Sequence, residues 1–313
     1  MNANRENAQQ VALARLTQDG VLRVAGADAR AFLHAQLTND IENLASDHVR
    51  RAGWCTAKGR LLATPLVVPQ ADDFLLLLPR ELVNSVMKRL RMFVLRAKVT
   101  IEDDSGRWEH IGLLGEGALQ TLSARMGVEI PAAVHALVRA HGAIVIRVEG
   151  DRARMLVAAG DVAALVERLG LRAVDESRWM MEDIRMGLPQ VVAATQELFV
   201  PQMLNFEAIA GLDFKKGCYP GQEIVARARY RGQVKRHMRR ARVAASAAPV
   251  VGQDLYCDDQ PGQACGTVVA VAALDGDSEL LAVVPTAAAQ TQLPVRLAPG
   301  GTALEWLPLP YAV

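Results

Sequence analysis

Lys216-Gly217-Cys218-Tyr219-Pro220-Gly221-Gln222-Glu223 is the stretch on which the reading of this 313-residue chain turns. Pro220 fixes φ at a value that suits the second position of a turn, and Gly221 tolerates the positive φ of the third. No helix breaker follows between Gln222 and Ala228, so a helix is predicted to begin there. Glu223 falls in its first turn, where the macrodipole favours an acid. Cys218 then stands just outside a helix N-terminus with Lys215 and Lys216 beside it, surroundings that favour thiolate. A buried, inert cysteine in a tight turn is the alternative.

Working outward, Arg227, Arg229, Arg231, Lys235, Arg236, Arg239, Arg240 and Arg242 follow, with His237 among them and no acid between Glu223 and Asp254. The whole chain carries a net charge of only +1, so the excess is local. Guanidinium forks match carboxylates and phosphates. The candidate partners are an anionic small molecule or an RNA backbone, and a solvated linker is the plainer alternative.

The rest of the chain frames this segment. Hydrophobic residues make up 51% and aromatic ones 4%, so the cores are aliphatic, and the length allows two or three domains. Residues 1–10 are polar and lack the apolar run of a secretory signal, which predicts a cytoplasmic protein. Its four cysteines, Cys55, Cys218, Cys257 and Cys265, are then expected to be reduced, although Cys257 and Cys265 are close enough in sequence to meet in a hairpin. The apolar runs at 61–69 and 74–79 are too short to span a bilayer. No His, Cys, Asp and Glu cluster has metal-ligand spacing, so no permanent metal is expected.

Element order points to an α+β protein. Strands at 11–16 and 21–24 flank Asp19-Gly20 and read as a β-hairpin. Asp28 can cap a helix over 29–37; strands near 49–56, 61–69 and 74–78, a helix over 80–94 and a strand at 99–102 follow. This is a unit with an antiparallel sheet. A second unit repeats the order: strand 111–114, helix 116–125, strands 143–149 and 154–158, helix 161–169, then a further helix over 179–186. From Arg242 the pattern changes to short apolar stretches between Gly, Pro and Asp turns, at 264–271, 279–284, 294–297 and 303–307, which predicts a small β-barrel or sandwich.

With these pieces in place, the chain resembles the YgfZ-type proteins, folate-binding relatives of the glycine-cleavage T-protein (aminomethyltransferase). The resemblance rests on Gly26-Ala27-Asp28-Ala29 with Phe32-Leu33, on Gln36-Leu37-Thr38-Asn39-Asp40, and on Ala57-Lys58-Gly59-Arg60. It continues in Arg185-x-Gly187-x-Pro189, Pro201-Gln202 with Asn205, Lys216 to Glu223, Ala226-Arg227 and Tyr230-Arg231-Gly232. It implies a T-protein-like body over 1–240, of two α+β units near 1–105 and 106–240 that can interleave, and a C-terminal β-barrel over 241–313. It implies tetrahydrofolate as cofactor and a role in assembling or repairing iron–sulfur clusters in client enzymes, tRNA-modifying ones included.

Cys218 is then the working group, as thiolate or transient cluster ligand. Asn205, Lys216, Tyr219, Gln222, Glu223, Arg227, Arg229, Tyr230, Arg231, Lys235 and Arg236 are the candidate folate contacts. Where the T-protein has a pair of aspartates this chain has Leu62 and Ala63, with Asp72 and Asp73 the nearest acids. Folate-dependent aminomethyl transfer, the second reading, thereby loses its acid–base partner. A third reading is tRNA binding through residues 227–242.

Overall fold

The computed structural model describes residues 10–230, 234–259, 262–274, 276–290 and 293–313. The chain forms two compact units. The first comprises Met1–Phe32, Glu42–Arg50 and Leu66–Trp179, and the second Leu33–Ile41, Arg51–Pro65 and Met180–Val313.

The first unit holds strands β1 (Ala12–Arg15), β2 (Asp19–Ala25), β3 (Leu66–Gln70), β4 (Asp73–Pro79), β5 (Thr100–Asp103), β6 (Trp108–Leu114), β7 (Leu137–Ala140), β8 (Ala143–Val148), β9 (Arg152–Ala158) and β10 (Ala173–Val174). One sheet runs β7-β8-β9-β6-β1-β10 and the other β3-β4-β2-β5, with the short strand Arg50–Arg51 outside β3. The β1–β10 pairing is parallel.

The expected hairpin of the first two strands does not form. β1 pairs with β6, whereas β2 pairs with β4 and β5 in the other sheet. The reason is burial on both strand faces: Ala12, Leu13, Ala14, Val21, Leu22 and Val24 are all buried. Strands apolar on both sides belong in sheet interiors, each with two neighbours. A layer including Leu16, Val21, Leu75, Leu77, Ile144 and Leu156 joins the two sheets. On the outer face of the first sheet, Ile111, Leu113, Met155 and Val157 pack with Leu122 and Leu165 from helices Ala118–Met126 and Val162–Leu169.

His110 is the exception inside this unit. It is buried, and neither ring nitrogen finds a hydrogen-bond partner among the described residues. Burial pushes its pKa down to about 4; Asp19 opposes this, and Arg154 and Arg80 add to it. The unfolded chain therefore takes up this proton first on acidification, and stability is lost as pH falls from 6.5 towards 4. The loss should approach about 3 kcal/mol at one proton over this interval. Denaturant titrations at neutral and acid pH should show His110→Leu to be less acid-sensitive than the parent. Equal sensitivity would exclude His110 as the source.

The second unit carries β11 (Arg236–Ala244), β12 (Asp254–Cys257), β13 (Ala264–Leu274), β14 (Asp277–Pro285), β15 (Val295–Arg296) and β16 (Glu305–Leu307), in the order β15-β12-β13-β14-β11-β16. The segment before β16 turns back to the far edge. Leu304 N donates to Val295 O at 2.8 Å and Leu297 N to Thr302 O at 3.2 Å. These bonds curl the sheet around a core that includes Val243, Leu255, Val268, Leu280 and Val295, giving the expected C-terminal barrel. Cys257 and Cys265 are bonded to each other, correcting the expectation of reduced thiols. Both are buried on adjoining antiparallel strands with Cα atoms 5.9 Å apart, a separation that a disulfide spans. Among the described residues no helix is long and apolar enough to cross a membrane.

Candidate functional site: a displayed thiol and a cleft

The predicted turn and helix are both present in the second unit. Gly221 has φ +80°, and Gln222 N donates to Tyr219 O at 3.1 Å, the geometry of a type II turn with Pro220 and Gly221 at its centre. Helix Gln222–Tyr230 starts directly after it.

This turn seats against a second one quoted in the family resemblance, Lys58-Gly59-Arg60. A Cβ on Gly221 would lie 2.4 Å from Thr56 O and 2.7 Å from Gly59 Cα, and one on Gly59 (φ +69°) would meet Ile224 Cβ at 3.0 Å. Two backbones approach this closely only where neither carries a side chain. The Lys58 turn is itself fixed by Thr56 N to Arg60 O, by Leu61 N to Phe199 O and by Glu197 N to Leu61 O, each at 2.8 Å.

Gln36 to Asp40 supplies a further brace. Thr38 Oγ1 donates to Gly211 O and accepts from Gly53 N, each at 2.7 Å. Asn39 Nδ2 donates to Arg51 O at 2.8 Å and to Ala210 O at 2.7 Å. Lys216, buried, sends its ammonium to the carbonyls of Leu37 (2.6 Å) and His34. These carbonyls close helix Ala29–Gln36, whose C-terminal dipole end favours a cation. Burial nevertheless pulls the Lys216 pKa down to about 8, with Asp40, Asp213 and Cys218 opposing. The same ammonium lies 5.1 Å from the centre of the buried Tyr219 ring, and burial raises the Tyr219 pKa.

Lys216 and Tyr219, read from the sequence as ligand contacts, therefore hold the turn in place. Between them Cys218 is free and exposed. Cys55 is buried, its thiol pushed up to about 12 by burial. Cys218 is thus the thiol open to a reaction partner. Among the described residues there is no group of three or more His, Cys, Asp and Glu able to hold a metal.

The remaining candidates spread over two regions. Gln222 is half-buried and Glu223 and Arg227 are exposed on the helix; Lys235 and Arg236 are exposed near the start of β11. Arg231 and the side chain of Tyr230 lie outside the described residues. The basic stretch is not one uniform patch: Ala241 and Val243 turn into the barrel core, and Met238 is buried as well. Acids distant in sequence also meet it. Arg229 pairs with Glu207 at 3.0 Å and stacks over Phe214 at 4.2 Å, and Arg240 pairs with buried Glu279 at 2.6 Å.

At the last turn of helix Gln222–Tyr230 a cleft of about 500 Å³ opens, lined among others by Gln202, Asn205, Glu207, Arg229 and His237. Asn205 takes a left-handed φ of +57° and donates through Nδ2 to Met238 O at 2.9 Å, while His237 Nδ1 lies 3.4 Å from its Oδ1. Burial lowers the His237 pKa and Arg239 lowers it further, which favours the neutral imidazole. Gln202 Nε2 donates to Val225 O at 2.7 Å, but buried Gln202 Oε1 has no partner among the described residues. Gln202, Glu207 and His237 were absent from the sequence-based candidates; Gln202 stood only in the quoted Pro201-Gln202 pair. Cys218 does not line this cleft. Thiol and cleft belong to opposite ends of one helix, which at 1.5 Å per residue spans about 14 Å.

No protein-family model matches the chain. It is 29% identical over 297 residues to the tRNA-modifying protein YgfZ of Shigella sonnei (strain Ss046), with 93% of this chain and 90% of that protein covered. The same figures hold for the tRNA-modifying protein YgfZ of Escherichia coli O7:K1 (strain IAI39 / ExPEC). Among solved structures, the glycine cleavage system aminomethyltransferase T from Bartonella henselae superposes with a TM-score of 0.73 at 15% identity, covering 98% of this chain and 88% of that one. The chain is therefore similar to YgfZ proteins over nearly its whole length, and its fold is that of the T-protein. Leu62 and Ala63, which the resemblance implies stand where the T-protein has aspartates, are buried apolar residues of strand Leu61–Ala63. Asp73, one of the nearest acids in sequence, accepts a hydrogen bond from Arg23 Nε at 2.9 Å.

Proposed function

We propose that the protein is a tetrahydrofolate-binding accessory factor for tRNA-modifying enzymes that need iron–sulfur clusters, with Cys218 as its working group. The tRNA-modification role rests on the YgfZ relatives, and the folate on the T-protein fold. The observation that carries the reading is the cleft and the polar side chains in its lining. Gln202, Asn205 and His237 in its lining carry the hydrogen-bonding groups that a pterin edge needs, and Arg229, which pairs with Glu207 at 3.0 Å, has further guanidinium N–H groups for a glutamate carboxylate. The volume falls in the range of small-molecule sites. Bound there, the folate supplies one-carbon and redox chemistry, while the protein's residues orient it.

Buried apolar residues at the aspartate positions argue against aminomethyl transfer as the activity. Because Cys218 lies outside the cleft and faces solvent, it acts on a partner that arrives from solution. Titration calorimetry with tetrahydrofolate tests the folate reading. The parent should bind, and Arg229→Gln should bind about tenfold more weakly through loss of a charged hydrogen bond. Absence of measurable binding to the parent would overturn the reading, and unchanged affinity in the variant would remove the ligand from this cleft.

A further inference from the structure

The turn-rich segment after helix Val83–Arg91 in the first unit has no role in the site described above. Between Glu81 and Glu102 the chain carries Lys88, Arg89, Arg91, Arg96 and Lys98 and no acid. Among these cations stand three exposed apolar side chains: Met92 at 66%, Phe93 at 44% and Leu95 at 91% exposure. The segment is held by its own backbone, with Phe93 N to Leu90 O at 3.0 Å, Val94 N to Arg91 O at 3.2 Å and Ala97 N to Val94 O at 2.9 Å. Asp28 accepts from Lys98 N at 2.7 Å and Arg91 Nε donates to Ile101 O at 2.9 Å, which ties the segment down at both ends.

Leu95 takes φ +25°, a conformation that costs a residue with a Cβ. Such strain persists where the surrounding structure enforces it, and it clusters at functional positions. Here the strained residue is also the most exposed of the three.

We propose that residues 88–98 form a docking surface for a partner protein that presents an apolar cleft rimmed by carboxylates. Apolar anchors with arginines around them have the anatomy of a protein interface, in which Met, Phe and Arg are enriched. The absence of acids over this stretch fits an acidic rim and raises the association rate by steering. RNA is the less favoured occupant, because Met92 and Leu95 offer bases neither stacking nor hydrogen bonds and Phe93 is the lone aromatic among them.

The test is fluorescence anisotropy on the full chain with defined probes: an amphipathic peptide of Glu and Leu at helical spacing, an all-Glu peptide of equal charge, a mixed-sequence single-stranded RNA, and phosphatidylglycerol vesicles. Leu95→Asn removes the anchor without adding charge and keeps a residue that tolerates the left-handed backbone; Arg96→Gln removes one cation. The amphipathic peptide should bind tightest, lose about tenfold or more in Leu95→Asn, and weaken with salt and in Arg96→Gln. The proposal is overturned if the all-Glu peptide binds as well, if Leu95→Asn binds as the parent does, or if RNA or vesicles bind more tightly than the amphipathic peptide.

Discussion

Gly221→Ala should lower stability by about 3–4 kcal/mol, near the upper end for a point substitution. Two costs act together. A left-handed φ, here +80°, costs an L-residue about 1–2 kcal/mol relative to glycine. The added methyl also meets Thr56 O at 2.4 Å and Gly59 Cα at 2.7 Å, which are backbone atoms that no rotamer change can move. Relief requires the turn at Gly221 to separate from the turn at Gly59, and the Cys218 loop moves with it. Gly217→Ala is the control. Its Cβ would find only the His34 ring, no nearer than 3.4 Å, so a loss below about 1 kcal/mol is expected there. Guanidinium titrations of both variants decide the matter, and equal midpoints would show that the contact between the turns does not hold the loop.

That joint also marks how far the sequence could be read. The Pro220-Gly221 turn and the helix after it were legible because their causes are local: a fixed φ, a permissive φ and an unbroken helical stretch. Lys216 was not. Its burial comes from carbonyls at His34 and Leu37, about 180 positions earlier, and nothing near Lys216 announces them. The basic stretch misled for a similar reason. It is free of acids along the chain but not in space, where Glu207 and Glu279 reach Arg229 and Arg240.

The barrel was readable from its turn spacing. The first two strands were misread because Asp19-Gly20 gives the same local signal whether it joins two strands of one sheet or carries the chain between two sheets. Only their apolar residues on both faces, present in the sequence but unused, argued for two interiors. The cleft was half legible. Asn205 was named from a family motif and Arg229 from the basic stretch, whereas Gln202 needed the observation that its oxygen is buried and unpaired.

Cys218→Ala should abolish the proposed support of cluster-dependent tRNA modification while leaving the fold intact. The two halves of this prediction have separate physical grounds. The side chain is exposed, so its removal opens no cavity, and surface changes of this kind stay within about 0.5 kcal/mol. The neighbours that fix the loop, Lys216 and Tyr219, are anchored through contacts that do not involve the sulfur. Function, in contrast, has no substitute thiol. Cys55 is buried and strongly protonated, and Cys257 and Cys265 are bonded to each other. A serine at this position keeps the size and polarity but is a far weaker nucleophile and iron ligand, so Cys218→Ser should fail equally. The measurement is the level of thiolated tRNA in a strain that depends on this protein, read alongside its denaturation midpoint and its tetrahydrofolate affinity. Loss of modification with both other quantities unchanged assigns the chemistry to the sulfur. Parent levels of modification in Cys218→Ala would remove the thiol from the function and leave the cleft as its sole centre.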